Sequence, residues 1–254
     1  MAKIIAIANQ KGGVGKTTTS VNLCAALTGL NERVLLCDMD PQGNSTSGLG
    51  IDKNKAEPNI YNVLIDGINA QNVIMKTPYG DVMPSNKILS GAGIELVTTE
   101  QREFVLKNVL SDLRDDYDFI LIDCPPSLEM LTLNSLCAAD TVLIPVQCEY
   151  FALEGLSDLM TTIRMIKRAL NPTIDIEGVL LTMYDARTNF SSQVAAEIKR
   201  FFNKKVYTVS IPRNIRLAEA PSHGMPIVEY DKYSRGSLAY IELAKEVVRN
   251  NETT

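Results

Sequence analysis

The residues with the clearest chemical potential form one short glycine-rich segment near the beginning of the chain. It lies between an apolar run and a helical pattern, and its members are Lys11, Gly12, Gly13, Val14, Gly15, Lys16, Thr17 and Thr18. Glycines let backbone N–H groups approach an anion because no Cβ blocks the way. The start of the following helix adds a partial positive charge. The segment therefore predicts a phosphate-binding turn, in which Lys16 supplies a full charge and the Thr17 hydroxyl can ligate Mg²⁺.

This segment departs at one position from the usual phosphate-binding pattern, G-x-x-x-x-G-K-[ST]. Gln10 stands where the pattern has its first glycine, and the segment contains an additional lysine, Lys11. A second ammonium group near the phosphates would add charge stabilisation in a transition state. A glycine-rich surface turn with two solvated lysines is the simpler alternative, but it explains neither the strand before the segment nor the helix after it.

Three aspartates follow apolar runs that have the length of strands. Asp38 and Asp40 follow the run 33–37, and Asp123 follows the run 119–122. In open α/β sheets, ligands bind at the carboxyl ends of the strands. One carboxylate there can hold Mg²⁺ through water, and a second can orient an attacking water. A single aspartate in such a place can equally be a helix N-cap or turn former, whereas three beside a phosphate-binding turn favour a site.

Short apolar strands alternate with amphipathic helices along the chain. Strands are predicted over 3–8, 33–37, 94–98, 119–123, 141–146, 174–183 and 206–211, with an edge strand near 81–83. Helices are predicted over 17–30, 58–66, 101–113, 128–139, 153–170, 191–202 and 236–249, and 42–50 as a loop. This alternation is typical of an α/β fold with a mostly parallel twisted sheet and helices on both faces. No linker-like segment divides the chain, so we predict one domain over residues 1–254.

Composition and charge narrow the functional classes. The net charge is −5, but residues 1–159 carry 11 basic and 20 acidic side chains, whereas residues 160–254 carry 14 and 10. The second part can therefore offer a positive face that the net charge conceals. The five cysteines show no CxxC spacing, which indicates structural thiols in a reducing cytoplasm. The apolar runs are far shorter than the roughly 20 residues of a membrane helix, so we predict no membrane span.

Several motifs together resemble one family of ATPases. They are Lys11–Thr18, Asp38-Met-Asp-Pro-Gln-Gly-Asn44, Asp123-Cys-Pro-Pro126, Pro145-Val-Gln-Cys-Glu-Tyr150, Leu153-Glu-Gly155, Ile211-Pro-Arg-Asn214 and Glu219-Ala-Pro-Ser-His-Gly224. With them the chain resembles the ParA/MinD family of deviant Walker P-loop ATPases, and most closely its Soj-like ParA chromosome-partitioning group. The resemblance extends from about Lys3 to Val248. The first motif is specific to the family, and the later ones separate the ParA group from its relatives.

The resemblance implies a role for each matched residue of the nucleotide site. Lys11 matches the signature lysine that reaches the partner's nucleotide across an ATP-bound sandwich dimer. Lys16 and Thr17 match the phosphate lysine and the Mg²⁺-binding hydroxyl. Asp40 matches the carboxylate that positions the hydrolytic water, and Asp123 matches the Walker B aspartate. The positions that contact adenine in the family are Pro212, Arg213 and Asn214.

The resemblance also implies DNA binding without sequence preference by the ATP-dependent homodimer. Arg187 and Arg216 fall on the family's DNA-contact arginines, and a basic cluster at the end of the helix 191–202 contains Lys199, Arg200, Lys204 and Lys205. Such residues contact phosphates and make binding dependent on salt. Taken alone, the cluster is equally explained by the helix dipole. The family further implies slow ATP hydrolysis stimulated by a ParB-type centromere-binding partner, and a nucleoid-associated location in the cytoplasm.

Three other functions share parts of this pattern. A MinD-like positioning ATPase would need a C-terminal amphipathic basic helix, which residues 249–254 do not resemble. An iron–sulfur reductase would need paired cysteines at a dimer face, and Cys124 and Cys137 are the candidates. A nucleotide-gated scaffold that does not hydrolyse ATP would share the fold and the dimer. His223, the only histidine, has no cluster of metal ligands near it in the sequence and is interpreted as a loop residue.

Overall fold

A computed structural model describes residues 1–149 and 152–252. Its strands are β1 (Lys3–Ile7), β2 (Val34–Asp38), β3 (Met75–Thr77), β4 (Gly80–Met83), β5 (Phe119–Asp123), β6 (Thr141–Gln147) and β7 (Asp175–Thr182). Within the described ranges they form one sheet in the order β3-β4-β2-β5-β1-β6-β7. Neighbouring strands are parallel except for β3 and β4, which are antiparallel. The prediction of a mostly parallel sheet is therefore confirmed.

Helices cover both faces of this sheet. They are α1 (Lys16–Gly29), α2 (Asn44–Gly48), α3 (Ile60–Ile65), α4 (Leu89–Glu95), α5 (Val105–Ser111), α6 (Met130–Ala138), α7 (Ala152–Ala169), α8 (Asn189–Phe202), α9 (Ile215–Glu219), α10 (Ile227–Tyr230) and α11 (Arg235–Glu252). Helices α6 and α7 contribute to one apolar cluster, and α1 and α11 contribute to the other. Among the described helices, none is long and apolar enough to cross a bilayer.

Strand β5 shows why the sequence has continuous apolar runs. Ile120 and Ile122 belong to the apolar cluster on one face of the sheet, whereas Phe119 and Leu121 belong to the cluster on the other face. A strand that is buried on both faces cannot alternate apolar and polar residues, so it reads as an unbroken apolar stretch. The two clusters pack on both faces of the sheet and make it a rigid support for the segments that follow the carboxyl ends of its strands.

The carboxyl ends of the central strands meet at one edge of the sheet. In the strand register Asp123 lies beside Ile7 of β1 and beside Asp38 of β2. The glycine-rich segment follows β1 directly and leads into α1. The topology therefore brings the glycine-rich segment and the aspartates that follow β2 and β5 to one place.

Two of the predicted strands are wrong. Residues 94–98 are helical, since α4 continues into a 3₁₀ turn over Leu96–Thr98. Ile94 and Val97 are 78% and 52% exposed, so the apolar residues that suggested a strand do not all enter the core. In the segment 206–211, Val206 forms only an isolated bridge to β7. Two backbone hydrogen bonds also join the segment to β7, from Tyr207 N to Val179 O at 3.0 Å and from Ile211 N to Leu181 O at 2.8 Å. The buried ring of Tyr207 covers Gly178 of β7 and adds packing to this contact.

Two further details differ from the sequence-based expectation. The segment 42–50, predicted as a loop, contains the short helix α2. Strand β4 covers the predicted edge strand at 81–83, but it lies inside the sheet, and β3 forms the edge. Polar loop-like composition concealed α2, whose Thr46 is fixed by hydrogen bonds to Asp38 of β2.

Candidate active site

The glycine-rich segment forms a turn that leads directly into a helix. Gly13 and Gly15 have φ angles of +75° and +91°, a left-handed conformation that side chains disfavour. Gly15 is the N-cap of α1, and no side-chain hydrogen bond caps that helix. The first N–H groups of α1 therefore have no capping side chain and are suited to bind an anion.

Lys16 places an ammonium group in this turn. The residue is only 7% exposed, and its Nζ donates to the Lys11 carbonyl oxygen at 3.2 Å. Burial lowers the pKa of Lys16, whereas the nearby Asp123 and Asp40 carboxylates raise it. A buried cation whose charge is only partly compensated favours an anionic ligand.

Asp123 is fully buried beneath the turn. Its Oδ1 accepts a hydrogen bond from Ser20 Oγ of α1 at 2.8 Å, whereas its Oδ2 is buried without a hydrogen-bond partner. Burial first, and then the charge of Asp38, raise the pKa of Asp123 to about 7. An unsatisfied carboxylate oxygen is costly in a folded protein. Such an oxygen can instead accept a cation, or a water molecule that is coordinated to a cation. Ser20 was not predicted, since nothing in its local pattern separates it from other helical serines.

The two aspartates after β2 have different surroundings. Asp38 is fully buried, and its Oδ2 accepts hydrogen bonds from Thr46 N and Thr46 Oγ1 at 2.9 and 2.6 Å. Burial raises the pKa of Asp38 despite these bonds. Asp40 is 9% exposed and lines the pocket described below, and its Oδ1 accepts from Gln42 N at 2.9 Å. Of the two, Asp40 is therefore placed to meet a ligand.

A pocket of about 580 Å³ joins the glycine turn to the segment after residue 210. The sequence-predicted residues that line it are Gly12, Gly13, Gly15, Lys16, Thr17, Thr18, Asp40, Pro212, Arg213 and Asn214. Three further lining residues, Asn44, Pro126 and Ile211, belong to motifs of the family resemblance but were given no role. Lining residues that sequence reasoning missed are Thr182, Met183, Ile215, Leu217, Ala218 and Tyr240. Most of these are apolar, and they gave no signal because apolar residues near a strand end are usually core. The pocket thus has a cationic, amide-rich end and an apolar end.

Lys11 is directed away from this pocket. Its Nζ forms an ion pair with Glu149 Oε2 at 2.8 Å, and the two side chains are 34% and 47% exposed. The Lys11 backbone N–H donates to Asn9 Oδ1 at 3.0 Å, which fixes the beginning of the turn. The structure therefore places the Lys11 backbone at the turn and its ammonium group on Glu149.

The predicted DNA-contact residues are exposed, and several form ion pairs. Arg187 makes a two-pronged contact with Asp185 at 2.9 and 2.7 Å, which lowers the pKa of that carboxyl to about 2. Arg216 contacts Glu219 at 2.9 Å and Asp231 at 3.7 Å. The exposed cluster at the end of α8 consists of Lys199, Arg200, Lys204 and Lys205, of which Lys205 pairs with Asp175 at 3.1 Å.

Both arginines lie close in sequence to the pocket wall. Arg187 follows Met183 by four residues, and Arg216 stands between Ile215 and Leu217, which line the pocket. An isolated bridge between Tyr184 and Pro212 connects the two segments. The structure therefore brings the two arginine-bearing segments together, whereas the basic cluster lies at the far end of α8.

The cysteines do not resemble a cluster site. Cys124 and Cys137 are 1% and 0% exposed, so neither thiol reaches the surface. Burial raises the pKa of Cys124 to about 12 and that of Cys137 to about 11. In residues 1–149 and 152–252 no group of three or more Cys, His, Asp and Glu side chains is arranged to hold a metal ion by itself. His223 is exposed and stacks on Tyr230.

A glycine turn, a buried lysine and carboxylates at strand ends define a P-loop nucleotide-binding protein of the α/β class. The AAA domain family model matches residues 2–176. The chain is 57% identical to the sporulation initiation inhibitor protein Soj of Bacillus subtilis, over 98% of this chain and 100% of that one. It is 50% identical to the chromosome partitioning protein ParA of Myxococcus xanthus, over 99% of this chain and 89% of that one. The chain belongs to this AAA domain family and, within it, to the Soj/ParA chromosome-partitioning proteins.

A solved structure from another organism has the same fold. Cobyrinic acid a,c-diamide synthase from Mycobacterium smegmatis, with bound ADP and magnesium, matches with a TM-score of 0.87 and 37% identity. The match covers 99% of this chain and 96% of that chain. The same enzyme has been solved with an ATP analogue and magnesium. The likeness therefore extends over nearly the whole of both chains.

Proposed function

We propose that this protein binds Mg-ATP in the pocket beside the glycine turn and that its ATP hydrolysis drives DNA partition. The observation that carries the proposal is the pocket itself, which joins the turn, Asp40 and the segment Pro212–Asn214. Its two ends match the two ends of an adenine nucleotide, since one is cationic and the other is largely apolar. Family membership and the nucleotide bound by a relative support the same function.

In this proposal the phosphates lie in the glycine turn. Backbone N–H groups of Gly12–Thr18 surround them, and the buried ammonium group of Lys16 provides a positive charge beside them. The adenine lies against Pro212–Asn214, with Leu217 adding apolar contact. Binding is favourable because the anion neutralises a buried cation and satisfies the uncapped amides at once.

The residues present also fit a magnesium ion. Asp123 Oδ2 is buried and lacks a hydrogen-bond partner, and Thr17 is the second residue of α1, the helix that Asp123 contacts through Ser20. Thr17 would bind the ion through its hydroxyl, and Asp123 would hold it through water. When bound, magnesium neutralises charge on the phosphate oxygens. Asp123 must be ionised for this role. Because its pKa is raised to about 7, its ability to hold magnesium should depend on pH near neutrality.

Hydrolysis is assigned to Asp40 and Lys11. Asp40 faces the pocket, where its carboxylate orients the attacking water and can accept its proton. Lys11 does not enter the pocket of its own subunit. We propose that, in an ATP-dependent homodimer, it leaves Glu149 and reaches the partner's nucleotide, where it stabilises charge on the phosphates.

The dimer would bind DNA without sequence preference and release it after hydrolysis. Arg187 and Arg216 are exposed beside the pocket wall, so closing of two subunits on ATP would set four such arginines together with both α8 clusters. A ParB-type partner would stimulate turnover and so release the dimer from DNA. The protein would then be nucleoid-associated in the cytoplasm and would not bind membranes, which distinguishes it from a MinD-like positioning ATPase.

Turnover measurements test the proposal directly. The wild-type protein should convert ATP to ADP slowly with magnesium, faster with random-sequence DNA, and fastest with DNA and a ParB-type partner. The formation of no ADP under any of these conditions would instead favour a nucleotide-gated scaffold. Sedimentation with anionic liposomes and ATP should leave the protein in the supernatant, whereas pelleting would support the MinD-like alternative.

Reversing the charge of Arg187 should strongly weaken DNA binding while sparing ATP binding. Arg187→Glu removes one phosphate contact per subunit and adds repulsion, so retention on random-sequence DNA should fall by at least about tenfold at low salt. Filter retention with ATP and with ADP, at two salt concentrations, is the measurement. Lys76→Glu is the matched control, because Lys76 is exposed on the opposite end of the sheet in β3. Equal loss in both variants, or none in Arg187→Glu, would contradict the assignment.

A further inference from the structure

A hydrogen-bond network lies behind Asp40 and outside the pocket wall. Asp38, Thr46 and Ser85 are each 0% exposed, and they come from the end of β2, from α2 and from the segment after β4. Thr46 Oγ1 donates to Asp38 Oδ2 at 2.6 Å and accepts from Ser85 N at 2.9 Å. One hydroxyl therefore links three separate parts of the chain. This arrangement was not predicted, since Thr46 and Ser85 stand in polar segments without a recognised motif.

The network fixes the main chain of Asp40 on both sides. Asp38 Oδ1 accepts from Asp40 N at 3.2 Å. Ser85 Oγ donates to the Asp40 carbonyl oxygen at 2.9 Å, and Gly43 N donates to the same oxygen at 2.9 Å. Because the N–H and C=O groups of Asp40 are both held, its backbone has little freedom to rotate, and its carboxylate is kept on the pocket side.

The strand register explains why Ser85 reaches this loop. Cys37 of β2 lies opposite Met83 of β4, so Ser85 comes level with Met39, the residue before Asp40. The approach is close, because a Cβ added to Gly43 would lie 2.7 Å from the Ser85 carbonyl oxygen. Gly43 also has a φ of +60°, so a glycine permits both the turn and the contact.

We propose that Thr46 and Ser85 are positioning residues for ATP hydrolysis, acting through the backbone of Asp40. The inference rests on the proposed function, since it assigns these residues to the reaction that Asp40 performs. Neither residue lines the pocket, so their loss should change turnover and leave nucleotide binding intact. A displacement of about 1 Å in a group that orients a reactant can lower a rate roughly 100-fold.

Thr46→Val tests the inference, because it replaces the hydroxyl by a methyl group of similar size. We expect kcat to fall about 10- to 100-fold, with the KM for ATP within about twofold, and Thr46→Ser to restore most of the rate. Ser85→Ala removes only the bond to the Asp40 carbonyl and should lower kcat roughly three- to tenfold. In an Asp40→Ala background, Thr46→Val should cause no further loss in single-turnover ADP formation.

Thr141→Val is the matched control. The buried Thr141 Oγ1 also donates to a carboxylate at 2.6 Å, that of Glu177, but at the amino end of β6. It should lower the melting temperature by a similar amount and leave kcat unchanged.

Three results would overturn the inference. They are equal kcat in Thr46→Val and Thr141→Val, a further multiplicative loss in the Asp40→Ala background, and a raised KM that accounts for the whole effect. If Thr46→Val does not fold, Ser85→Ala decides, and a wild-type kcat in that variant overturns the inference. Wild-type protein that forms no ADP overturns the proposed function as well, whereas normal wild-type turnover with unaffected variants overturns this inference alone.

Discussion

Replacing Asp40 with alanine should stop ATP turnover and leave ATP binding in place. Asp40 faces the pocket, and its removal deletes the group that orients the water, which typically contributes about 100- to 10,000-fold to a rate. The phosphate contacts of Lys16 and the backbone amides remain, so Mg-ATP affinity should change by less than about threefold. Because hydrolysis would release the dimer, the variant should accumulate as an ATP-bound dimer. Turnover assays and light scattering with ATP measure both consequences.

The control for this variant is an aspartate nearby in the sequence. Asp52 is half-exposed and pairs with Lys55 at 3.3 Å, and it does not line the pocket. Asp52→Ala should therefore turn over ATP at the wild-type rate and form no long-lived dimer. An Asp40→Ala protein that hydrolyses ATP normally, or one that remains monomeric with ATP, would show that Asp40 does not have the proposed role.

Replacing Asp123 with asparagine should stabilise the nucleotide-free protein while abolishing magnesium-dependent binding. Asp123 is buried with one unpartnered oxygen, and its pKa is raised to about 7. The corresponding penalty for the ionised form is on the order of 4 kcal/mol, and part of it is relieved in Asp123→Asn. We expect the melting temperature at pH 8 to rise by roughly 5 °C, since sites built for a ligand are often strained without it. Differential scanning calorimetry at several pH values is the measurement.

The pH dependence of this stabilisation has a definite sign. A carboxyl whose pKa is raised on folding contributes stability below its ordinary pKa, and this contribution is lost as the pH rises through the folded value. The wild type should therefore lose stability through this group between about pH 4 and pH 7. The difference between Asp123→Asn and wild type should be greatest at pH 8 and should shrink steadily towards pH 4. A difference that is independent of pH would contradict the assigned cause.

Asp38→Asn provides the opposite expectation at a neighbouring buried carboxylate. Both Asp38 oxygens accept hydrogen bonds, from Asp40 N and from the backbone and side chain of Thr46. An amide NH₂ in that place would face donors, so this variant should be destabilised at every pH. Loss of charge alone would affect the two sites alike, and the contrast therefore separates charge from hydrogen bonding.

Local sequence was enough to predict the elements that carry the nucleotide site. The glycine turn, Lys16 and Asp123 are adjacent to strong apolar runs, and parallel strands necessarily bring their carboxyl ends to one edge. The same reasoning failed where burial depends on the rest of the chain. Ile94 and Val97 are apolar, which suggested a buried strand, but both are exposed and their segment is helical.

The parts of the site that escaped prediction depend on distant contacts. Tyr240 reaches the pocket from α11 and bonds to Thr19 of α1 at 3.2 Å, which no local pattern indicates. Thr46 and Ser85 are joined only through the register of β2 and β4. The ion pair of Lys11 with Glu149 likewise connects the turn to the segment after β6. Such features require the three-dimensional arrangement, because each partner is unremarkable in its own segment.

Isothermal titration of the wild type and of Lys16→Ala with ATP, each with and without magnesium, measures whether the glycine turn and Lys16 form an ATP site. The wild type should bind one ATP per subunit with an affinity that falls sharply when magnesium is removed. Lys16→Ala should remain folded, by circular dichroism, and bind ATP at least about 100-fold more weakly, because a buried cation facing the phosphates is lost. Folded wild-type protein that takes up no ATP, or Lys16→Ala protein that binds ATP as tightly as the wild type, would show that the glycine turn is not a nucleotide site.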